Sequence, residues 1–126
     1  MKTRFLLLTA LLLAATAPTQ ALDCTFTATS GTWGNAANWD CGVVPDGDDD
    51  ATITSGRTVT LAVDRTVGGL SFLSGTINGP GALTVSGNLL WNFGTLNADL
   101  RLLASGSGTL ASSSKTLGPG TTLRLD

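Results

Sequence analysis

Apolar and polar residues alternate in short bursts along this chain. Cys24-Thr-Phe26-Thr-Ala28 opens the series and Ala51-Thr-Ile53-Thr follows. Then come Val59-Thr-Leu61-Ala-Val63, Leu70-Ser-Phe72, Leu83-Thr-Val85, Leu100-Arg-Leu102 and Leu123-Arg-Leu125. A period of two puts successive side chains on opposite faces, so each burst predicts a half-buried strand. Gly, Ser and Asn interrupt the bursts every few residues, and no stretch combines helical spacing with helix formers. The pattern is that of an all-β chain.

Three elements recur. Apolar-x-apolar units begin at residues 70, 83, 100 and 123, in steps of 13, 17 and 23 residues. Gly75-Thr76-Ile77, Gly94-Thr95-Leu96 and Gly108-Thr109-Leu110 form a second set. Gly79-Pro-Gly81 precedes Leu83-Thr-Val85, and Gly118-Pro-Gly120 precedes Leu123-Arg-Leu125. A mean step near 18 with two or three tiny strands per unit predicts a β-solenoid. A strand of three residues buries too little alone. Stacking unit on unit turns single Leu and Val side chains into continuous internal ladders. The alternative is a small β-sandwich, whose turn signals recur at a similar spacing.

The first 21 residues read differently. Lys2 and Arg4 precede the apolar stretch Phe5–Ala15, and Pro18-Thr-Gln-Ala21 ends in a small residue. The stretch is too short to span a membrane, which takes about 20 residues, and has the layout of a secretory signal cleaved after Ala21. A 105-residue mature chain would remain, with five cations against nine acids and a charge of −4. That length suits one modest domain. In an exported chain, Cys24 and Cys41 are expected to pair as a disulfide. The expected division is a signal at 1–21, a cap at 22–54 holding both Cys, and repeat coils at 55–126. The expected location is secreted, extracellular or cell-surface, the periplasm included, with no membrane span in the mature chain.

Composition narrows the chemistry. The chain has no His, Tyr or Glu, so all nine acids are Asp. Ser-His-Asp triads, Cys-His pairs and His-bearing zinc sites are excluded, and two Cys cannot complete an all-Cys site. No basic surface recommends nucleic acid. No cofactor is expected.

The stretch from Cys24 to about Leu73 resembles the N-terminal portion of secreted bacterial β-strand-repeat proteins, of the filamentous-adhesin and autotransporter-like type. The resemblance rests on the Cys24 strand, Gly31-Thr-Trp33, Ala36-Ala-Asn38-Trp39, Cys41-Gly-Val-Val-Pro45, the Asp-rich turn, and Ala51-Thr-Ile53. It continues through Val59-Thr-Leu61 and Val67-Gly-Gly-Leu70-Ser-Phe72. It implies a right-handed parallel β-helix whose Trp-containing, disulfide-closed segment seals the first coil. It also implies an exported, adhesin-like scaffold with no catalytic residues to carry over. Such proteins run to many coils, whereas this sequence stops within a strand-like unit. The expectation is a fragment of a longer protein; the alternative is a last coil that docks onto a partner or another copy.

Candidate sites are few. Asp46, Asp48 and Asp50 have the alternate spacing with which a calcium loop begins. Ala51 and Arg57 stand where an EF-hand needs Gly and an acid, so only an irregular site could form there. Phe26, Trp33 and Trp39 are read as the apolar filling of the cap. Trp91 and Phe93 are the candidate ligand contacts, since an exposed pair would form a patch. Exposed Trp residues would also allow the second functional reading, a carbohydrate-binding module. Catalysis would have to use Asp with Lys115, Arg57, Arg65, Arg101 or Arg124, and nothing in the spacing gathers these around a pocket. The first reading is therefore an exported, non-catalytic structural or adhesin-like protein. Its partners would be glycans, surface proteins or further copies of itself.

Overall fold

The structure, a computed structural model, describes residues 21–111 and 114–126. Apart from Ala21, the expected signal lies outside the described residues. The chain winds as a parallel β-solenoid. A partial first coil holds β1 (Asp23–Thr25) and β2 (Ser30–Thr32). Four turns with three strands each follow. The first has β3 (Asp50–Ile53), β4 (Thr58–Thr60) and β5 (Arg65–Val67), and the next has β6 (Gly69–Phe72), β7 (Thr76–Asn78) and β8 (Leu83–Val85). Then come β9 (Asn88–Trp91), β10 (Gly94–Asn97) and β11 (Leu100–Leu102). The last turn has β12 (Ser107–Leu110), β13 (Lys115–Leu117) and β14 (Leu123–Leu125).

Each turn gives one strand to each of three parallel sheets. The first sheet runs β1-β3-β6-β9-β12, the second β2-β4-β7-β10-β13, and the third β5-β8-β11-β14. Every strand-to-strand ladder is parallel, which sets the β-sandwich aside. A lone antiparallel bridge joins Phe26 to Trp39 in the lid.

The ladders explain why such short strands persist. Ile53, Phe72 and Trp91 stack inside the first sheet. Val59, Ile77 and Leu96 do so in the second, and Leu83, Leu100 and Leu123 in the third. Most of these side chains are fully buried, and Leu123 packs partly buried against them. Burying one such side chain stabilises by about 1.5–3 kcal/mol, so the stack gains with every rung. Phe72 and Trp91 continue the stacking with their rings, whose centroids are 5.7 Å apart at 21°. Between the first two sheets the chain turns at Gly75 and Gly94, with φ of 98° and 107°. A Cβ on Gly94 would lie 2.7 Å from the Gly75 carbonyl oxygen, so stacked turns this tight require glycine.

Three details of the expected repeat are corrected. Leu70 and Leu83 are not successive repeats: they lie in one turn, on the first and third sheets. The residue stacked on Leu70 is Leu89, 19 residues on. Gly108-Thr109-Leu110 does not stack on Gly94-Thr95-Leu96. It belongs to the first sheet, where Leu110 faces Trp91, and Lys115-Thr116-Leu117 fills its place in the second. The alternation through Val63 also fails. Leu61 is buried, but the chain then rounds a corner and leaves Val63 54% exposed. The long step from Leu100 to Leu123 comes from the corners: two residues join each pair of successive strands from β8 to β11, against four or five from β11 to β14.

Candidate functional site

The lid is the excursion between β2 and β3. Cys24 and Cys41 are joined by a disulfide, with Cα atoms 5.1 Å apart. Trp33 and Trp39 pack edge-on at 4.8 Å, and Phe26 meets Trp39 at 5.2 Å. All three rings are buried. Both indoles keep a polar partner: Trp33 Nε1 donates to the Pro45 carbonyl at 3.2 Å, and Trp39 Nε1 to the Trp33 carbonyl at 2.8 Å. A 3₁₀ turn at Ala36–Asn38, capped by the Asn35 side chain, orients Trp39 over the coil. These residues fill the end of the interior and present no ring face to a ligand.

The acidic turn is built around Asp49, which the sequence offers only as one of four clustered acids in a solvated turn. Asp49 is 5% exposed. Its Oδ1 accepts from the Leu22 amide at 3.0 Å and its Oδ2 from the Asp46 amide at 3.1 Å. A carboxylate at a turn makes strong hydrogen bonds to backbone N–H groups. Asp49 thus closes the turn and ties down the chain that leads into β1. Asp46, Asp48 and Asp50 are exposed, and Asp46 Oδ1 accepts from the Asp48 amide at 3.1 Å. Among the described residues no group of three or more acids or Cys is placed to hold a metal ion. A signal for Asp49 existed: counting back by twos from Ile53 and Ala51 reaches it, so it shares their inward face.

The expected Trp91–Phe93 surface pair does not form. Trp91 is 1% exposed because it is a rung of the first-sheet ladder, and its Nε1 donates to the Phe93 carbonyl at 2.9 Å. Phe93 alone is exposed, at 46%. With Trp33, Trp39 and Trp91 all buried, the carbohydrate-binding reading loses the platforms it needs.

Several of the ionisable side chains that catalysis would have to use make coil-to-coil contacts, and Asp64, Asp99, Arg101 and Arg124 line one open groove of about 290 Å³ along the third sheet. Asp64 Oδ1 accepts from the Ala82 amide at 2.9 Å, and Asp99 Oδ1 from the Thr122 amide at 2.8 Å. Each links one corner to the corner of the next turn. Arg57 Nη1 donates to the Thr27 carbonyl at 2.7 Å. Arg65 lies against Gly34 of the lid. Arg101 and Arg124 stack on the outside of the third sheet and both reach Asp126. The hydrogen bond from Arg101, with Arg124 on the other oxygen, holds the Asp126 carboxyl below the usual carboxylate range.

The far end has no lid among the described residues. Leu110, Leu117 and Leu125 are 52%, 48% and 66% exposed, and each ends one interior ladder. Gly108 stands below Leu89 and supplies no rung. A cavity of about 210 Å³ opens there among Leu89, Leu102, Leu110 and Leu125. No helix of the described residues is long and apolar enough to cross a membrane. The fold thus defines a disulfide-lidded parallel β-solenoid. No family model matches the chain, and no curated protein or solved structure does.

Proposed function

We propose that the chain is an exported structural β-solenoid of the cell surface or extracellular space, adhesin-like and non-catalytic. One observation carries this reading: Arg57, Asp64 and Asp99 each bond to the backbone of a neighbouring coil, so these charged side chains serve the stacking of the solenoid. The disulfide supports an oxidising compartment. The signal-like sequence of Met1–Ala21 and the resemblance to secreted bacterial β-strand-repeat proteins support export and display. Contacts with glycans or surface proteins would be made along the outer sheet faces. The exposed last rungs would allow self-association.

The test is expression of the full chain in a Gram-negative host. Expected are cleavage before Leu22, an oxidised Cys24–Cys41 pair in the exported fraction, and attachment of protein-coated beads to cells or matrix. Retention in the cytosol, or beads that attach no better than uncoated ones, would reject the reading. For self-association, sedimentation should show mass rising with concentration, and Leu110→Asp with Leu125→Asp should abolish the rise. A monomer at all concentrations removes that element alone.

A further inference from the structure

The outer face of the second sheet is a regular array of hydroxyl groups. Ser30, Thr58, Thr76, Thr95 and Thr116 occupy one register position on five successive strands. Two residues along lies a second column, Thr32, Thr60, Asn78 and Asn97. These residues alternate with the buried Val59, Ile77 and Leu96, which fixes their outward direction. Among the described residues the hydroxyls of both columns have no partner within the protein. In the second column, Asn97 Nδ2 donates to Asn78 Oδ1 at 2.8 Å, so these amides are held in line.

This face is also uncharged, unlike the other two. The first sheet shows Asp23 and Asp50 on its outside, and the third shows Arg101 and Arg124. The cations beside the Thr columns turn away from them: Arg57 donates to the Thr27 carbonyl and Lys115 to the Ala111 carbonyl.

The spacing decides what could meet such a face. Neighbouring strands lie about 4.8 Å apart, and two residues along a strand span about 6.7 Å. Five rungs therefore make a strip about 19 Å long. In tetrahedral water with O···O near 2.75 Å, next-nearest oxygens lie about 4.5 Å apart and the hexagonal stacking repeat is about 7.4 Å. The two lattices differ by about 0.3 Å per strand, which over five rungs accumulates to about 0.6 Å either side of the central rung, and by about 0.7 Å along the strand, both within the swing of a Thr side chain. A single hydroxyl gains little from ice over liquid water, because liquid water offers the same hydrogen bonds. Rigid periodicity changes this: only an ordered lattice meets every rung at once.

We propose that the outer face of the second sheet binds ice, with the Thr58–Thr76–Thr95 column as its centre. The solenoid supplies the rigidity and the lack of charge supplies the selectivity for neutral, ordered water.

The test uses the purified, oxidised protein, frozen slowly from buffer, with an ice-recrystallisation assay in parallel. The wild type should enter the growing ice and keep crystals small. Thr76→Tyr with Thr95→Tyr should lose both effects at an unchanged melting temperature. Should that double variant unfold, Thr58→Tyr alone carries the same expectation. Thr84→Tyr, outward on the third sheet, should keep full activity. Exclusion of the wild type from ice would overturn the proposal. So would retained activity in the folded Thr76/Thr95 variant, equal loss in Thr84→Tyr, or capture by crystalline polysaccharide but not by ice. The structural reading above stands or falls separately, on export and attachment.

Discussion

Among the described residues, the two ends of the stack carry the same ladders, and only the first is covered by a lid. At the first coil, Phe26, Trp33 and Trp39 cover the interior, a disulfide fixes the covering loop, and Asp49 ties the entering chain to the turn. At the last coil, each ladder runs out at a half-exposed Leu beside an apolar cavity. A solenoid gains stability from each neighbour a rung has, so a rung with two neighbours counts for more than a rung with one. The lid acts as the missing neighbour of the first coil. Its aromatic mass replaces a whole turn of Leu and Val, and the cross-link limits the entropy that an unfolded lid would regain.

Four expectations follow from that contrast, the largest first. Trp39→Ala should destabilise by about 3–5 kcal/mol in urea unfolding, the cost of a large buried aromatic. Leu110→Ala should stay within about 0.5 kcal/mol of wild type, as surface changes do. Equal costs at the two sites would dissolve the contrast. Replacing both cysteines by Ser should lower stability by about 3 kcal/mol, the chain-entropy value for a loop of this length. Asp49→Ala should cost about 1–3 kcal/mol, because the Asp46 and Leu22 amides lose their acceptor. Asp48→Ala serves as the exposed reference and should change little.

The smallest effect is one of pH at the open end. The Asp126 carboxyl is depressed in the folded state, chiefly by Arg101. Its contribution is present above the ordinary carboxylate range and is lost as pH falls through the lowered value. Arg101→Gln should flatten this acid-side slope in a series of thermal melts. The exposed pair should shift it only slightly.

The fold was legible where one rung repeats the residue types of the next. Leu83-Thr-Val85, Leu100-Arg-Leu102 and Leu123-Arg-Leu125 are read from sequence at their observed bounds. β2 and β5 were not legible, because Ser30-Gly-Thr32 and Arg65-Thr-Val67 carry too few apolar residues to show a period. Those strands take their place from the turns stacked against them. Gly108-Thr109-Leu110 misled for a related reason: a three-residue motif identifies a strand but not which of three sheets it joins. The Thr columns were present in sequence as the polar positions between Val59, Ile77 and Leu96. Their meaning needs the register, since only stacking turns scattered Thr residues into a lattice. Trp91 was misplaced because Trp and Phe two apart suggest a patch, until Phe72 is seen to stack on the indole from the turn before.

Methyl-to-methyl nuclear Overhauser contacts in selectively labelled protein test the layering most directly. The account predicts contacts from Leu83 to Leu100 and from Leu100 to Leu123, with Ile77 touching Leu96 in the neighbouring sheet. A spectrum in which Leu100 contacts neither Leu83 nor Leu123 would contradict it.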